Sequence, residues 1–153
     1  MRIRRASMED RPLLENMFKT DILDDDKEAA IFAMDVLSHG ETLLALDGDA
    51  LCGTLTWAQR WGHEDGVAEL IGLGVTEPYR RQGVASRLLD EFLQRARDLF
   101  EEAGARLRVV FIFMERNNEP ARGFYKSHGF VEEAVVPALY PHDDAVVWCR
   151  HFD

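Results

Sequence analysis

One stretch, residues 67–100, constrains the fold more than any other because it joins a strand directly to a long helix. The run from Val67 to Val75 is apolar enough for a strand, and the turn 76–83 follows it. Apolar residues then recur at helical spacing, with charged residues largely on the opposite side. The apolar face comprises Val84, Leu88, Phe92, Ala96 and Leu99 or Phe100. A strand followed at once by an amphipathic helix is typical of domains whose helices cover a sheet.

The rest of the chain supplies the other layers of such a domain. Strands are predicted near residues 1–6, 42–46, 50–58, 106–114, 130–136 and 145–152, and helices near 9–18, 27–38 and 118–128. The strand at 106–114 is apolar throughout its centre, so we expect it to be buried on both faces. We predict an α/β or α+β fold: one mixed, mostly antiparallel sheet of about seven strands, with about four helices on both faces. The 153 residues are expected to form a single domain, 1–153.

Charge excludes some partners. The chain has 28 Asp and Glu residues against 18 Lys and Arg residues, a net charge of −10. Because such a chain repels phosphate backbones and no predicted helix carries a basic stripe, nucleic acid is not an expected partner. The acidic surface would attract a cationic substrate, or it would simply keep the protein soluble.

The sequence shows no pattern typical of a membrane segment, a signal peptide or a disulfide framework. No run of about 18 apolar residues is present, so no transmembrane helix is expected. The start of the chain, residues 1–5, is basic, but no apolar stretch follows it, which argues against a signal peptide. Cys52 and Cys149 lie in apolar runs, and we expect them to be reduced core residues of a cytoplasmic protein without a metal site.

The turn after the 67–75 strand is a candidate anion site. A helix start presents unpaired N–H groups and the positive end of the helix dipole. Gly83 and Ala85 would let a phosphate approach the backbone, and Arg80 and Arg81 would add charged donors. The turn lacks the Gly-Lys-Ser/Thr ending of a nucleotide P-loop and the three glycines of a dinucleotide fingerprint. A sharp packing turn with two solvated arginines is the alternative.

Two motifs give this turn a more specific interpretation. Arg80-Arg81-Gln82-Gly83-Val84-Ala85, after Leu73-Gly74-Val75 and Pro78, resembles the signature of the GCN5-related N-acetyltransferase (GNAT) superfamily. The segment 117–130 resembles the family's second motif, Asn-x-x-Ala-x-x-Phe/Leu-Tyr-x-x-x-Gly-Phe. The spacing leaves room for one helix and one strand between the motifs, as the family requires.

The resemblance implies that acetyl-CoA is bound as acyl donor. The backbone N–H groups of residues 81–86 would hold its pyrophosphate. Its pantetheine arm would lie in a splay between the fourth and fifth strands, which the family opens with a β-bulge. Gly72 and Gly74 are consistent with a bulge or a close backbone approach, although Gly72 could equally admit a packed helix. The predicted cofactor-binding residues are Leu73, Gly74, Val75, Arg80, Arg81, Gln82, Gly83, Val84, Ala85, Ser86, Asn118 and Tyr125.

The resemblance also suggests how the transfer would proceed, by direct attack of an amine on the thioester. Tyr125 occupies the position of the tyrosine that protonates the departing sulfur in many members; a core tyrosine bonded to a carbonyl is the alternative. Asn118 would bond the pantetheine or cap the helix, and Asn117 competes for that place.

Glu69 is the candidate base. Strand alternation places it on the face of Ile71, Leu73 and Val75, and apolar surroundings would make a carboxylate more basic. Its position before Val75 also resembles that of the base in histone-modifying members. His63 in the preceding loop is the rival, and a water relay without a dominant base is a third option.

The sequence indicates the chemical class of the acetyl acceptor but does not identify the compound. We predict an N-acyltransferase that acetylates a primary amine, either a small cationic amine or a protein or peptide amine. The alternative is a non-catalytic acyl-CoA-binding sensor of the same fold. A homodimer is compatible with a chain of this size.

Overall fold

The structure is a computed structural model and describes all residues from 1 to 153. Its strands are β1 (Arg2–Arg5), β2 (Glu41–Asp47), β3 (Ala50–Arg60), β4 (Val67–Val75), β5 (Val109–Glu115), β6 (Val131–Tyr140) and β7 (Asp143–His151). Its α-helices are α1 (Arg11–Asp21), α2 (Asp26–Ser38), α3 (Val84–Glu102) and α4 (Glu119–Ser127). Short 3₁₀ turns cover Met8–Asp10, His63–Asp65 and Glu77–Tyr79. None of the helices is long and apolar enough to cross a membrane.

The strands form one sheet in the order β1-β2-β3-β4-β5-β7-β6. β4 and β5 pair in parallel, whereas β1 with β2, β2 with β3, β5 with β7, and β6 with β7 pair antiparallel. The parallel register runs only from Val67 opposite Val109 to Glu69 opposite Phe111, and the two strands then diverge. The predicted mixed sheet, its four helices and the splay between the fourth and fifth strands are confirmed.

Some predicted boundaries are wrong. β5 begins at Val109 rather than near residue 106. At this start, the amides of Arg108 and Val109 both donate to the carbonyl of Gly66, at 2.7 and 3.1 Å. Gly66 has φ 64°, and a Cβ there would clash with the carbonyl of Arg106. β5 is also not buried on both faces: Val110 is buried and Phe113 is exposed.

Contacts along the chain form two compact units, residues 1–58 with 72–96 and residues 59–71 with 97–153. We call them the first and the second unit and describe each by itself. The predicted single domain therefore stays a prediction.

The first unit has its apolar core between α1, α2 and the strands β2 and β3. The core residues are Leu14, Ala33, Leu44, Leu46 and Leu51. Asp25 caps α2 by accepting a hydrogen bond from the Glu28 amide at 2.9 Å. The 3₁₀ turn that precedes α1 is fixed by Asp10, whose carboxylate accepts two bonds from Arg4, at 2.7 and 2.9 Å, and one from the Ser7 amide at 2.8 Å.

The second unit contains β5, β6, β7 and α4, together with the end of β3, most of β4 and the end of α3. Alternate residues of β5 are buried, as expected for a strand that faces a core on one side, whereas β7 buries two consecutive residues, Ala145 and Val146, and then Trp148. The buried members are Val110, Ile112, Met114, Ala145, Val146 and Trp148. Tyr125 of α4 and Phe130 after it are also buried, with ring centroids 5.4 Å apart.

Candidate active site

The turn between β4 and α3 begins at a firmly held residue. The Thr76 amide donates to the carbonyl of Cys52 at 2.8 Å, and its hydroxyl lies 3.1 Å from the same carbonyl and 3.2 Å from that of Leu51. Thr76 is buried. These bonds join the end of β4 to β3, so the following loop starts from a rigid point.

Two side chains then brace the loop from within. Nε of Arg80 donates to the carbonyl of Val75 at 3.0 Å, and the side-chain amide of Gln82 donates to the carbonyl of Pro78 at 3.0 Å. The Arg80 side chain is thus partly used to hold the loop, a role that the sequence analysis did not anticipate.

The last part of the loop, residues 80–83, is exposed. Arg81 and Gly83 both have left-handed backbone angles, with φ 62° and 80°. Such turns can direct successive N–H groups to one point and form an anion-binding nest. The first helical bond of α3 runs from the Arg87 amide to the Gly83 carbonyl, at 3.1 Å. The amides of Val84 and Ala85 therefore precede the helical ladder, and the Val84 side chain is buried at the helix start.

Gly53 of β3 is a positioning residue that the sequence analysis missed. A Cβ at Gly53 would lie 2.8 Å from the Gly74 carbonyl and 3.2 Å from side-chain atoms of Val84 and Leu88. The absence of a side chain therefore lets β3 approach both the end of β4 and the start of α3. Its signal was a glycine inside a predicted strand. At Gly72, by contrast, a Cβ would meet nothing within 4 Å, which does not support the packed-helix alternative.

A cavity of about 380 Å³ lies at the carboxyl end of β4. It is lined by Met17, Asp21, Ile22, Gly74, Val75, Thr76 and Arg80. A second cavity, of about 290 Å³, shares Met17, Asp21 and Thr76 with it. Within the first unit, the structure thus brings the predicted residues Gly74, Val75 and Arg80 together around an opening that also has a carboxylate on its wall.

Tyr125 belongs to the second unit and is only 4% exposed. Its ring lies between those of Phe124 and Phe130, with centroid distances of 5.1 and 5.4 Å. Burial raises the pKa of the Tyr125 phenol well above its usual value. The Tyr125 hydroxyl makes no hydrogen bond with the rest of the protein. Elsewhere in the chain, one fully buried side-chain nitrogen, Nε1 of Trp148, also has no hydrogen-bond partner. The carbonyl-bonded alternative therefore does not describe Tyr125.

The two asparagines before α4 have different partners. Oδ1 of Asn118 accepts the Ala121 amide at 3.2 Å, so Asn118 caps α4 and keeps its side-chain N–H₂ group for another acceptor. The backbone amide of Asn117 donates to Oδ2 of Asp143 at 2.9 Å.

Glu69 lies on the face that strand alternation predicts, because its neighbours Ala68 and Leu70 are fully buried. Its surroundings are not the apolar ones expected. Oε1 of Glu69 lies 2.8 Å from Nε and 2.6 Å from Nη2 of Arg60, and the carboxylate side chain is 19% exposed. The rival base His63 lies at an exposed 3₁₀ turn, its ring edge-on to Phe100 at 6.4 Å.

A seven-stranded mixed sheet with one parallel pair that splays beyond Glu69 is the fold of the GNAT acetyltransferases. The chain matches the family model described as the acetyltransferase (GNAT) family over residues 5–130. It therefore belongs to this family, whose acyl donor is acetyl-CoA. No curated protein sequence matches the chain.

Solved structures support the fold assignment. Ard1 from Thermoplasma volcanium is 23% identical with a TM-score of 0.77, covering 99% of this chain and 97% of that one. The ribosomal-protein-S18-alanine N-acetyltransferase from Escherichia coli is 18% identical with a TM-score of 0.75, covering 98% and 92%. An acetyltransferase from Bacillus subtilis, solved in complex with CoA, is 16% identical with a TM-score of 0.76, covering 99% of both chains.

Proposed function

We propose that this protein transfers an acetyl group from acetyl-CoA to a primary amine. The observation that carries the proposal is the loop at the start of α3, where the left-handed residues Arg81 and Gly83 precede the helical ladder in a chain of the acetyltransferase family. An exposed turn of this kind suits a diphosphate, which needs several converging N–H donors.

The cofactor would be held mainly by backbone. The N–H groups of residues 81–86 would bond the pyrophosphate oxygens, and the terminal nitrogens of Arg80 would add a charged donor, since only its Nε is used by Val75. The residues of β4 from Leu73 to Val75 lie beyond its paired stretch with β5, so their backbone groups would be free for the pantetheine amides. Asn118 would offer its side-chain N–H₂ group.

The transfer itself needs no covalent enzyme intermediate. The deprotonated amine attacks the thioester carbonyl and the new C–N bond forms. The C–S bond breaks as the tetrahedral oxyanion collapses, and the nitrogen releases its second proton to solvent to become the neutral amide. The departing thiolate takes the Tyr125 proton, which returns from solvent afterwards. A tyrosine phenol is protonated at neutral pH, so the donor form of Tyr125 is present before the thiolate leaves.

Glu69 as the proton acceptor stays a prediction. The contact with Arg60 occupies Oε1 of Glu69, so accepting an amine proton would require the second oxygen or movement of the guanidinium. The kcat of a Glu69→Gln variant, compared with that of Arg60→Gln, shows how much this carboxylate contributes to the reaction rate.

A cationic acceptor fits the charges of the first unit. Asp21 places a carboxylate on the wall of the cavity at Val75, and the whole chain carries a net charge of −10. Both features raise the local concentration of ammonium compounds. The Escherichia coli relative is likewise named for acetylating an amine, that of an alanine.

The experiment that tests this function is a thermal-shift titration with acetyl-CoA, with coenzyme A and ATP as controls. A ligand at about 100 times its Kd stabilises the fold by roughly 2.7 kcal/mol. A shift with acetyl-CoA and coenzyme A but not with ATP supports the cofactor assignment, and thiol release with an amine then establishes transfer. A shift without any thiol release would favour the acyl-CoA sensor, and no shift at millimolar ligand would refute the proposal.

A further inference from the structure

The carboxyl end of β5 carries a second titratable pair that the sequence analysis did not connect. Glu115 is the last residue of β5, and its Oε1 lies 3.1 Å from Nε2 of His142 in the turn between β6 and β7. The ring of Tyr140 lies over the imidazole, with centroids 6.2 Å apart and planes 24° from parallel. Burial, with a smaller contribution from Glu115, raises the pKa of the Tyr140 phenol.

The turn that carries His142 is fixed to the loop that starts α4. The backbone amide of Arg116 donates to the Asp144 carbonyl at 2.9 Å, and its guanidinium lies 3.2 Å from the Asp144 carboxylate. The amide of Asn117 donates to Asp143 at 2.9 Å. The Ala138 amide and the Arg116 guanidinium hold the pKa of Asp144 below its usual range. The loop 116–118 thus positions both α4, which carries Tyr125, and His142.

We propose that His142, paired with Glu115, is the proton acceptor for the amine in the acetyl transfer. This inference rests on the proposed function. The proposed base lies at the carboxyl end of β5, one strand of the parallel pair. Open α/β sheets bind their ligands at this edge. The groups that face the imidazole are Glu115 from β5 and Tyr140 from β6, with the Asp143-Asp144 carboxylates and Arg116 beside the turn.

The proton step balances without any further reactant. The ammonium of the acceptor gives one proton to Nδ1 of His142, which makes no hydrogen bond in the protein, and the free amine then attacks the thioester. The Glu115 carboxylate at Nε2 stabilises the imidazolium that forms, as carboxylates do beside catalytic histidines. The His142 side chain is 64% exposed, so the imidazolium returns its proton to water.

The chain offers a matched control pair. Nε2 of His151 lies 3.2 Å from Oε1 of Glu133, with 64% and 45% exposed side chains, against 64% and 47% for His142 and Glu115. His151 pairs with Val109 at the start of β5, whereas Ala145 pairs with Glu115 at its end. The two pairs match in residue types and exposure and differ in the end of β5 at which they lie; the His151–Glu133 contact is also a hydrogen bond, whereas the His142–Glu115 contact is an ion-pair approach.

The test is the pH dependence of kcat/KM. The rate is measured as thiol release from acetyl-CoA, with spermidine and with a lysine-rich peptide as acceptors. His142→Gln is expected to lower kcat/KM by about 100-fold at neutral pH. The loss should shrink as the pH approaches about 10, where a lysine amine needs no protein base. His151→Gln should stay within about twofold of the wild type, as expected for a surface side chain outside the machinery.

Glu115→Gln supplies a signature that a structural role would not produce. The amide does not stabilise the imidazolium, so kcat/KM at neutral pH should fall in Glu115→Gln and stay unchanged in the matched variant Glu133→Gln, while the Kd for coenzyme A stays unchanged in both. Equal rates for His142→Gln and wild type, or a loss of the same size in His151→Gln, would overturn the assignment, as would a 100-fold loss confined to Glu69→Gln. Those outcomes refute the His142 assignment and leave the proposed function standing. If the wild type itself releases no thiol with either acceptor, the proposed function is refuted together with the assignment.

Discussion

The loop at 76–86, our proposed pyrophosphate site, and the turn at 140–144 differ in how they are built. Within the loop, the bracing contacts of Arg80 and Gln82 join residues five and four positions apart in the chain. At the turn, the contacts of Arg116 and Asn117 with Asp144 and Asp143 join residues 28 and 26 positions apart. The loop presents backbone N–H groups, whereas the turn presents the side chain of His142.

This difference explains why the loop at 76–86 could be predicted from the sequence, whereas the side-chain cluster at the turn 140–144 could not. A site made of backbone groups in a locally determined turn needs only the right glycine and the following helix. A site made of side chains depends on which strands become neighbours, and that is decided by the whole sheet. Four substitutions test this comparison, ordered here by their expected effect on activity.

Tyr125→Phe should have the largest effect. Removing the hydroxyl deprives the leaving thiolate of its proton donor, so kcat should fall by about 100-fold. Because the hydroxyl makes no hydrogen bond within the protein, the melting temperature and the Kd for coenzyme A should hardly change. Steady-state kinetics with a thermal melt measure both, and an unchanged kcat would remove Tyr125 from the mechanism.

Gly83→Ala should weaken coenzyme A binding by about tenfold, because a Cβ is strained at φ 80° and would shift the backbone of the loop. Gly104→Ala is the matched control: Gly104 has φ 76° and equally open surroundings, but it lies after the end of α3. Isothermal titration compares the two variants. Equal affinities would mean that side chains, and not the loop backbone, hold the phosphate.

Asp143→Ala should lower kcat by about fivefold while leaving the Kd for coenzyme A unchanged. The variant removes the acceptor of the Asn117 amide and loosens the turn that carries His142, at a cost of about 1 kcal/mol. Rates at saturating acetyl-CoA, together with the Kd, measure the split. A change in Kd without a change in kcat would contradict the division between the two regions.

Asp10→Asn should leave both regions intact and act on stability alone, by about 1–3 kcal/mol at neutral pH. The hydrogen bonds from Arg4 hold the pKa of Asp10 below its usual value. Its contribution is therefore complete above the unfolded pKa of about 3.9 and is lost as the pH falls through the lower folded pKa. Urea unfolding at pH 7 and pH 3 should show the gap between wild type and variant closing at the lower pH; a constant gap would count against the ion pair.

The sequence analysis succeeded where local signals were strong. The strand at Val67–Val75, the helix that follows the loop and the capping role open to Asn118 all rest on periodicity or on short-range bonds. It failed to foresee the Arg60 partner of Glu69, because Arg60 ends one strand and Glu69 lies in the next, so only the pairing of the chain at that point brings them together. Gly53 escaped notice for the same reason: its neighbours Gly74, Val84 and Leu88 are distant in the chain.

The amino-acid sequence by itself indicated the fold class, a loop suited to an anion and the acetyltransferase family. The fold class follows from hydrophobic periodicity and the loop from a glycine whose backbone freedom acts locally, whereas the family was identified from the resemblance of two motifs, at 80–85 and 117–130. Only the tertiary structure decided which side chains face one another: Arg60 with Glu69, Glu115 with His142, and Asn117 with Asp143. The reason is physical, since a side chain's charge and exposure depend on neighbours that strand pairing and helix packing bring from far along the chain.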